Sequence, residues 1–166
     1  MVKNGLVSNL SRRELENPEG PGLDLRAGEF FTIGGKGFLG VADRQTPSAN
    51  SVATHEQKDS IVIRPGEYYL VATIEELQMP GNIFAHIYPR STLFRSGISL
   101  LTGKVSPGYQ GKLVFGITNL GSSEFKIELG ARIAFIVFHQ ILGRSSLSRG
   151  QWKGGRITAE EREHQI

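Results

Sequence analysis

Short apolar segments separated by glycine and proline constrain the fold of this chain more than any other feature of its sequence. The chain has 166 residues, and 21 glycines and 7 prolines punctuate these segments. Residues 111–121 place Leu113, Phe115 and Ile117 at alternate positions, which is the side-chain period of a β-strand. The pattern predicts an all-β sandwich or barrel.

The same reasoning predicts further strands and few helices. Short helices are indicated only at residues 73–78 (TIEELQ) and for one turn beginning near Pro89. Residues 65–66 (Pro-Gly) suit a type II turn, and residues 43–60 predict a polar loop or an exposed hairpin. The polar tail from Arg144 onward would be disordered unless it docks. The other predicted strands are 30–33, 37–42, 67–73, 82–88, 123–130 and 131–141, the last a central strand that is apolar on both faces.

The charge balance favours a small anionic ligand over a nucleic acid. Lysine and arginine total 19 against 16 aspartates and glutamates, and no run of five like charges occurs. Nucleic-acid binding would need a basic patch. The sequence shows no apolar segment of signal-peptide type at its N-terminus and no apolar stretch of about 18 residues. We therefore expect a cytoplasmic protein that binds neither membranes nor nucleic acids.

The absence of cysteine narrows the possible chemistry. It excludes disulfides, thiolate metal sites and cysteine nucleophiles. The four histidines are scattered, and no two of them have the i,i+4 spacing of metal ligands on a helix. We expect no zinc and no other metal held directly by the chain.

Residues 88–97 (YPRSTLFRSG) combine the features of an anion site. Proline is tolerated in the first turn of a helix, where Arg90, Ser91 and Thr92 would surround free backbone amides and the positive end of the helix dipole. Arg95 lies four residues after Ser91 and so projects from the same face. This arrangement suits a triphosphate. A capped surface helix with solvated arginines is the alternative that the stretch alone leaves open.

The order of several segments resembles that of the trimeric dUTPase and dCTP deaminase superfamily. Members carry a Pro/Gly-Arg-Ser-Ser segment, then a hairpin, a strand with an asparagine, a Gly-x-x-Ile strand and a glycine-rich arm. The resemblance covers roughly residues 20–157. Its segments here are LDLRAG (23–28), IRPGEYYLVATIEELQMP (63–80), PRSTLFRSGI (89–98), GKVSPGYQGKLVFGITNLG (103–121), GARIAFIVF (130–138) and RGQWKGG (149–155).

The resemblance implies a distorted jelly-roll β-barrel of the dUTPase-like type, with one or two short helices. Residues 1–143 would form the barrel, and residues 144–166 a flexible C-terminal arm that closes over a nucleotide site. Three identical subunits would form a homotrimer with its active sites at the subunit interfaces. The ligand would be a deoxypyrimidine nucleotide, dCTP or dUTP, and Mg²⁺ would enter only as a counter-ion bridging the triphosphate oxygens.

Site residues are carried over by position from the same resemblance. Tyr109 falls where a flat ring packs on the deoxyribose and leaves no room for a 2′-hydroxyl; an aromatic that packs on its own hairpin turn is the alternative. The remaining assignments are Arg90, Ser91, Thr92 and Arg95 for the triphosphate, Gly103, Lys104 and Val105 beside Tyr109 for base and sugar, and Gln151, Trp152 and Lys153 in the arm.

The positions where this family carries its catalytic acids are occupied by Ser106 and Gly116. No acidic residue lies between Glu76 and Glu124, so the hairpin and its strand contain no carboxylate. A serine needs a partner base to transfer a proton at neutral pH, and a glycine has no group to offer. The sequence therefore keeps the binding half of the family pattern without an evident proton acceptor.

Three hypotheses follow. The segments before residue 88 look more like dCTP deaminases, which favours hydrolytic deamination of dCTP to dUTP in pyrimidine deoxynucleotide metabolism, with dUTP diphosphatase activity (dUTP to dUMP and pyrophosphate) as the alternative enzyme. A catalytically weakened deoxynucleotide-binding relative is the second hypothesis. A structural scaffold is the third, and Arg90, Arg95 and Tyr109 argue against it, because a scaffold needs no phosphate site.

Overall fold

Antiparallel strands make up about half of the chain and nearly all of its regular secondary structure, as the sequence predicts. The structure is a computed structural model that describes residues 5–144, 146–159 and 161–165. These described residues contain two short helices, α1 (Arg12–Glu16) and α2 (Ser91–Arg95), and a 3-10 turn at Lys153–Gly155. The strands are β1 (Val7–Ser8), β2 (Gly22–Gly34), β3 (Phe38–Leu39), β4 (Asp43–Gln45), β5 (Ser48–Thr54), β6 (Ser60–Ile63), β7 (Tyr68–Gln78), β8 (Ile83–Pro89), β9 (Ile98–Leu101), β10 (Lys104–Val105), β11 (Gln110–Asn119), β12 (Phe125–Glu128), β13 (Arg132–Gln140) and β14 (Glu163–His164).

One large sheet carries the fold. Its strand order is β10-β8-β13-β2-β7-β11-β9, with β1 paired to β7 and β5 paired to β2. Two smaller sheets, β12-β6 and β14-β4-β3, complete the structure. Strand β13 lies between β8 and β2, so the central position predicted for residues 131–141 is confirmed.

The apolar alternation in β11 forms part of the core. Leu113, Phe115 and Ile117 are buried, whereas Val114 between them and Thr118 after them are half-exposed. Gly116, which also lies between them, is buried. Each buried side chain of this size contributes about 1.5–3 kcal/mol relative to exposure. The period-two pattern in the sequence therefore gives both the strand and the face that it buries.

The helix predicted at residues 73–78 is wrong, because these residues continue strand β7. Thr73, Glu75 and Leu77 are buried at alternate positions, and β7 pairs with β2 and β11. The glutamates and leucine favour a helix locally, but pairing on both edges overrides that preference.

Residues 43–60 are neither a loop nor a hairpin. They contain β4, β5 and the first residue of β6, and β4 and β5 pair with other strands and not with each other. Strand β5 pairs along β2 with Ala53 opposite Phe30, and Ala53 is buried. Most side chains of β5 are exposed, and the residues of this strand are accordingly small and polar. It therefore lacks the apolar alternation from which strands are recognised.

The turn predicted at residues 65–66 is confirmed. Gly66 has a φ of +81°, the left-handed value that the third position of a type II turn requires, and Glu67 N–H donates to Arg64 O at 3.0 Å. The Arg64 N–H in turn donates to the Glu67 carboxylate, and this bond lowers the pKa of Glu67. Within the described residues, neither α1 nor α2 is long and apolar enough to cross a bilayer.

Candidate functional site

A pocket of about 500 Å³ lies where the large sheet meets the C-terminal segment, and we call it the central pocket. Strands β7, β9 and β11 contribute to its lining, and so do residues 156–158 near the end of the chain. Residues from the predicted hairpin, strand and arm therefore meet in a single chain. Those that line it are Gly103, Lys104, Val105, Tyr109, Gly116 and Trp152.

The hairpin after β10 is fixed by its own hydrogen bonds. Gly108 N–H donates to Met79 O at 3.0 Å, and Met79 N–H donates to Tyr109 O at 2.8 Å. Lys104 Nζ donates to Ser106 Oγ at 3.0 Å. The Ser106 hydroxyl therefore faces a cation rather than a base, and Ser106 does not line the central pocket. Such a serine cannot act as a proton acceptor at neutral pH.

Tyr109 contributes its ring to the pocket and its hydroxyl to the hairpin. The ring is half-buried and packs against the core, while Oη donates to the carbonyl of Lys112. Burial raises the pKa of Tyr109, so the phenol is neutral at pH 7. With its hydroxyl bound, the ring is held in one orientation against the pocket.

A side chain at residue 116 would have to displace the phenol of Tyr68 from its present position. A Cβ added there would overlap Oη of Tyr68 and would lie 3.0 Å from Tyr68 Cζ and 3.1 Å from Leu101 Cδ1. Tyr68 and Leu101 also line the central pocket. The phenol of Tyr68 therefore occupies the volume that a side chain at residue 116 would need.

Among the described residues, those that line the central pocket include no carboxylate. Glu29 and Glu76 line an adjacent cleft that shares Ile157 with the central pocket. Glu75 is buried and bound to Arg26, whose Nε lies 2.7 Å from Oε1 and whose backbone N–H donates to Oε2 at 2.8 Å. The charged groups of the pocket lining are therefore the cations contributed by lysine and arginine.

A second pocket, of about 390 Å³, holds the predicted phosphate residue Arg90, and we call it the arginine pocket. Arg90 Nη1 lies 2.9 Å from Asp24 Oδ1, and Arg132 Nη1 lies 2.7 Å from Asp24 Oδ2. Asp24 is 1% exposed, so this carboxylate depends on its arginine partners. Lys126 and Glu128 also line the pocket and offset each other in charge. Two guanidiniums thus share one carboxylate, which leaves positive charge available to an anion.

Arg13 is the third guanidinium at Asp24, at 3.1 Å, but it is satisfied elsewhere. It binds Glu14 at 2.6 Å and Glu19 at 3.0 Å. The hydrogen bond to Glu19 is the main cause that raises the pKa of Arg13. The buried Glu14 also accepts the backbone N–H of Asp24 at 3.1 Å. The charge of Arg13 is therefore neutralised outside the arginine pocket.

Helix α2 follows the Arg90 position, which confirms the predicted helical turn. Ser91, Thr92 and Arg95 are exposed on it. Thr92 lines the arginine pocket, whereas Ser91 and Arg95 line neither of the two pockets. Arg95 forms no ion pair within the described residues. The predicted phosphate residues thus lie together around α2, apart from the lining of the central pocket.

The arm carries Trp152 between two arginines. Arg44 Cζ lies 4.5 Å and Arg156 Cζ 5.5 Å from the indole centroid, distances typical of cation–π contacts. Glu163 accepts from Arg44 Nε at 2.8 Å and from Arg156 Nη1 at 2.7 Å. The hydrogen bond from Arg156 has the larger effect on the pKa of Glu163, and both bonds lower it. We call these four residues the arm clamp.

The backbone of the arm also contacts the barrel. Strand β14 pairs with β4, and Thr46 N–H donates to Ala159 O at 3.0 Å. Gly111 approaches the arm closely, since a Cβ there would lie 2.6 Å from the carbonyl carbon of Gly154. The described part of the arm is therefore docked on its own chain.

The other two predicted arm residues lie outside the central pocket. Gln151 Nε2 donates to the carbonyl of His164 at 2.8 Å, and Lys153 is exposed in the 3-10 turn. Gln151 therefore supports the fold of the arm itself.

Comparison with known proteins assigns the chain to a family. A family model for dCTP deaminase-like proteins matches residues 4–141, which is most of the chain. The chain belongs to the dCTP deaminase-like family. The resemblance that the sequence segments showed to this superfamily is thus confirmed.

The relatives of this dCTP deaminase-like chain include proteins named as dCTP deaminases and proteins named as dUTP nucleotidohydrolases. It is 31% identical over 138 residues to a Methanosphaera stadtmanae protein named dCTP deaminase, dUMP-forming, covering 77% of this chain and 68% of that protein. It is 30% identical over 135 residues to the deoxyuridine 5′-triphosphate nucleotidohydrolase of Methanocaldococcus jannaschii, covering 80% and 85%. The 2′-deoxycytidine 5′-triphosphate deaminase of Agrobacterium tumefaciens superposes with a TM-score of 0.63 at 18% identity, covering 82% of this chain and 44% of that chain. The predicted all-β, dUTPase-like jelly-roll fold is confirmed.

Several residues at the sites of this family member are not predicted from the sequence, namely Asp24, Arg44, Tyr68, Arg132, Arg156 and Glu163. Asp24 had a readable signal, because a lone carboxylate between leucines in a buried strand needs cationic partners. Arg156 lies one residue beyond the predicted arm segment 149–155. Tyr68 and Glu163 act through residues distant in sequence, which no local pattern reveals.

The described residues of this dCTP deaminase-like chain contain no cluster of three or more His, Asp or Glu side chains that could hold a metal ion. Two histidines do meet across strands, with His86 Nδ1 at 3.4 Å from His139 Nε2. They lie beside Phe84 on an exposed face of β8 and β13, and neither lines the central or the arginine pocket.

Proposed function

We propose that this chain binds a deoxypyrimidine nucleoside triphosphate and catalyses the hydrolytic deamination of dCTP to dUTP, as part of pyrimidine deoxynucleotide metabolism in the cytoplasm. The observation that supports this most is that Gly103, Lys104, Val105, Tyr109 and Trp152 meet around the central pocket. Its apolar walls suit a base and a sugar, and Lys104 and Arg156 suit the phosphates. Membership of the dCTP deaminase-like family supports the same substrate class.

Tyr109 selects deoxyribose in this proposal. Its ring is held by the bond from Oη to the Lys112 carbonyl, so the ring cannot easily move away from the sugar. A fixed flat ring against the sugar leaves no room for a 2′-hydroxyl. Gly103, Lys104 and Val105 complete the base and sugar contacts, and CTP should bind more weakly than dCTP.

A homotrimer with sites at its subunit interfaces would join the two pockets. Arg90, Ser91, Thr92 and Arg95 lie around α2, away from the lining of the central pocket of the same chain. A neighbouring subunit that places its α2 beside the central pocket would bring the phosphate residues to the nucleotide. Mg²⁺ would then act only as a counter-ion on the triphosphate oxygens.

The arm would cover the bound nucleotide. In this division of the chain, residues 1–143 form the barrel and residues 144–166 form the arm. Trp152 would cover the base or sugar, and Gln151 and Lys153 would reach the phosphates after the arm adjusts. The clamp contact between Glu163 and Arg156 supports a docked arm as the resting arrangement.

The attack of water on the cytosine ring requires a proton acceptor. None of the described residues lining the central pocket is a carboxylate, so the acceptor would come from a neighbouring subunit or from the cleft that holds Glu29 and Glu76.

A second candidate function is favoured by the lack of a carboxylate among the described residues that line the central pocket. A pocket with cations, aromatic rings and apolar walls but no proton acceptor can bind a deoxynucleotide without converting it. In that case the chain is a catalytically weakened relative that senses or sequesters the nucleotide. Cleavage of dUTP to dUMP and pyrophosphate is a further alternative. Ser106 weighs against it, because this serine stands where dUTPases carry a catalytic aspartate and its hydroxyl is bound by Lys104.

The test combines calorimetric titration with product analysis. The protein is titrated with dCTP, dUTP and CTP in magnesium, and the same mixtures are separated by chromatography after incubation. Binding of dCTP with formation of dUTP is the expected result. Binding without conversion would support the second candidate, formation of dUMP and pyrophosphate from dUTP would identify the alternative enzyme, and no binding of any deoxynucleotide would overturn the proposal.

A further inference from the structure

The side chain of Tyr68 extends over Gly116 at the wall of the central pocket. Strands β7 and β11 pair here, with Tyr68 opposite Thr118 and Leu70 opposite Gly116. The missing side chain at residue 116 leaves a gap on this face of β11, and the phenol fills it with its Oη end nearest the glycine. The position where the family resemblance expects an acid is thus occupied by a hydroxyl supplied from the neighbouring strand.

The hydroxyl of Tyr68 is free to bind a ligand. Within the described residues, Tyr68 Oη makes no hydrogen bond, and the residue is 38% exposed at the pocket. The other pocket tyrosine, Tyr109, already uses its hydroxyl on a backbone carbonyl. Desolvation raises the pKa of Tyr68, so at pH 7 its oxygen is a neutral phenol that can both donate and accept.

A phenol and a carboxylate read a pyrimidine differently. An ionised carboxylate only accepts hydrogen bonds, so it favours a base whose edge carries an amino group. A phenol donates to a ring carbonyl and accepts from an exocyclic amine with equal ease, because its hydroxyl rotates. Replacing the acid by a phenol therefore removes the preference between the two kinds of base edge.

We propose that Tyr68 is a specificity-determining residue that contacts the pyrimidine through Oη and lets the central pocket accept both 4-amino and 4-oxo pyrimidine deoxynucleotides. This inference rests on the proposed nucleotide site, and it adds which bases that site accepts. It predicts comparable affinities for dCTP and dUTP.

The experiment titrates dCTP and dUTP in magnesium into the full-length wild-type chain and the Tyr68→Phe variant. Phenylalanine keeps the ring over Gly116 and removes only the hydroxyl, so the variant should melt at the wild-type temperature. Tyr88→Phe is the matched control, because Tyr88 is half-exposed on β8 and does not line the central pocket.

The wild type should bind dCTP and dUTP with dissociation constants within about tenfold of each other. Tyr68→Phe should weaken the binding of both by about three- to tenfold, the size of one net hydrogen bond, and Tyr88→Phe should change neither. Unchanged binding in Tyr68→Phe, or a preference of the wild type above about a hundredfold, would overturn the role of Tyr68 and leave the nucleotide site standing. Absence of binding by the wild type would overturn the proposed function and this inference with it.

Discussion

The carboxylate of Asp24 holds the guanidinium of Arg90 at 2.9 Å, although the two residues are separated by 66 positions in the sequence. Asp24 is buried in β2, and Arg90 lies at the start of α2. The same carboxylate binds Arg132 at 2.7 Å. The orientation of Arg90 and Arg132 in the arginine pocket therefore depends on Asp24, which is buried and does not line the pocket.

We predict that Asp24→Asn destabilises the fold and weakens triphosphate binding together. The variant removes the charge partner of three arginines, which should lower the free energy of unfolding by about 1–3 kcal/mol. Denaturant unfolding at fixed protein concentration measures this loss, and titration with dCTP measures the second effect. Glu16→Gln is the control, because the Arg12–Glu16 pair is exposed and should change stability by less than about 0.5 kcal/mol. An Asp24→Asn protein as stable as the control would contradict the buried role of this carboxylate.

Arg95→Ala should weaken triphosphate binding by about tenfold without altering the melting temperature, since a charged hydrogen bond is lost at an exposed position. Arg95 forms no ion pair with the described residues, so its removal leaves no buried group unsatisfied. Arg64→Ala, at an exposed turn outside both pockets, provides the comparison. A cooperative melt that disappears in Arg95→Ala, or an affinity equal to that of Arg64→Ala, would remove Arg95 from the phosphate site.

Docking of the arm should depend on pH through Glu163. Its pKa in the docked arm lies below the ordinary value of 4.5, so the clamp stabilises docking above about pH 4.5. This contribution is lost as the pH falls through the lowered pKa. Trp152 is the single tryptophan of the chain, so its fluorescence reports the transition directly. Glu163→Gln should abolish the acid transition and Glu161→Gln should keep it; a transition that survives in Glu163→Gln would assign it to another group.

Truncation after Arg144 should leave a folded barrel that binds dCTP more weakly. The core side chains lie almost entirely before this point, whereas Trp152 and Arg156 line the central pocket from the arm. Thermal melting and calorimetric titration measure the two properties. Wild-type affinity in the truncated protein would show that the arm has no part in nucleotide binding, and loss of the cooperative melt would show that it belongs to the barrel.

A carboxylate could be returned to the central pocket by two changes made together. Gly116→Glu alone should disturb the pocket, because the new side chain meets the phenol of Tyr68. The double variant Gly116→Glu/Tyr68→Gly removes that obstacle. If the chain lacks its own proton acceptor, the double variant should convert dCTP to dUTP about a hundredfold faster than Tyr68→Gly, measured by chromatography. Equal rates in the two variants would indicate that a base from elsewhere already serves the reaction.

The strands that form the core could be predicted because burial alternates along them. Leu113, Phe115 and Ile117 show this in β11. The turn at residues 65–66 could also be predicted, because its Pro-Gly sequence suits the positive φ that Gly66 adopts. The helix prediction for residues 73–78 is wrong because the glutamates suit a helix, whereas β7 pairs with other strands on both of its edges. Local sequence carries no record of that pairing.

The sites could be predicted only as far as their residues are contiguous. The hairpin residues Lys104 and Tyr109 are near one another in sequence and lie together at the central pocket. The partners of Arg90, Gly116 and Trp152 come from other strands, so their identities depend on the register of the sheet and the docking of the arm. Such partners follow from topology, which motif order alone does not give.

The packing of Tyr68 on Gly116 also restricts how this sequence can change. A side chain at residue 116 meets the phenol, and removal of the aromatic ring at residue 68 uncovers the glycine. We therefore expect the two positions to be epistatic, because a side chain at residue 116 requires the ring of Tyr68 to move or to be absent. The effect of a change at residue 116 therefore depends on which residue stands at position 68.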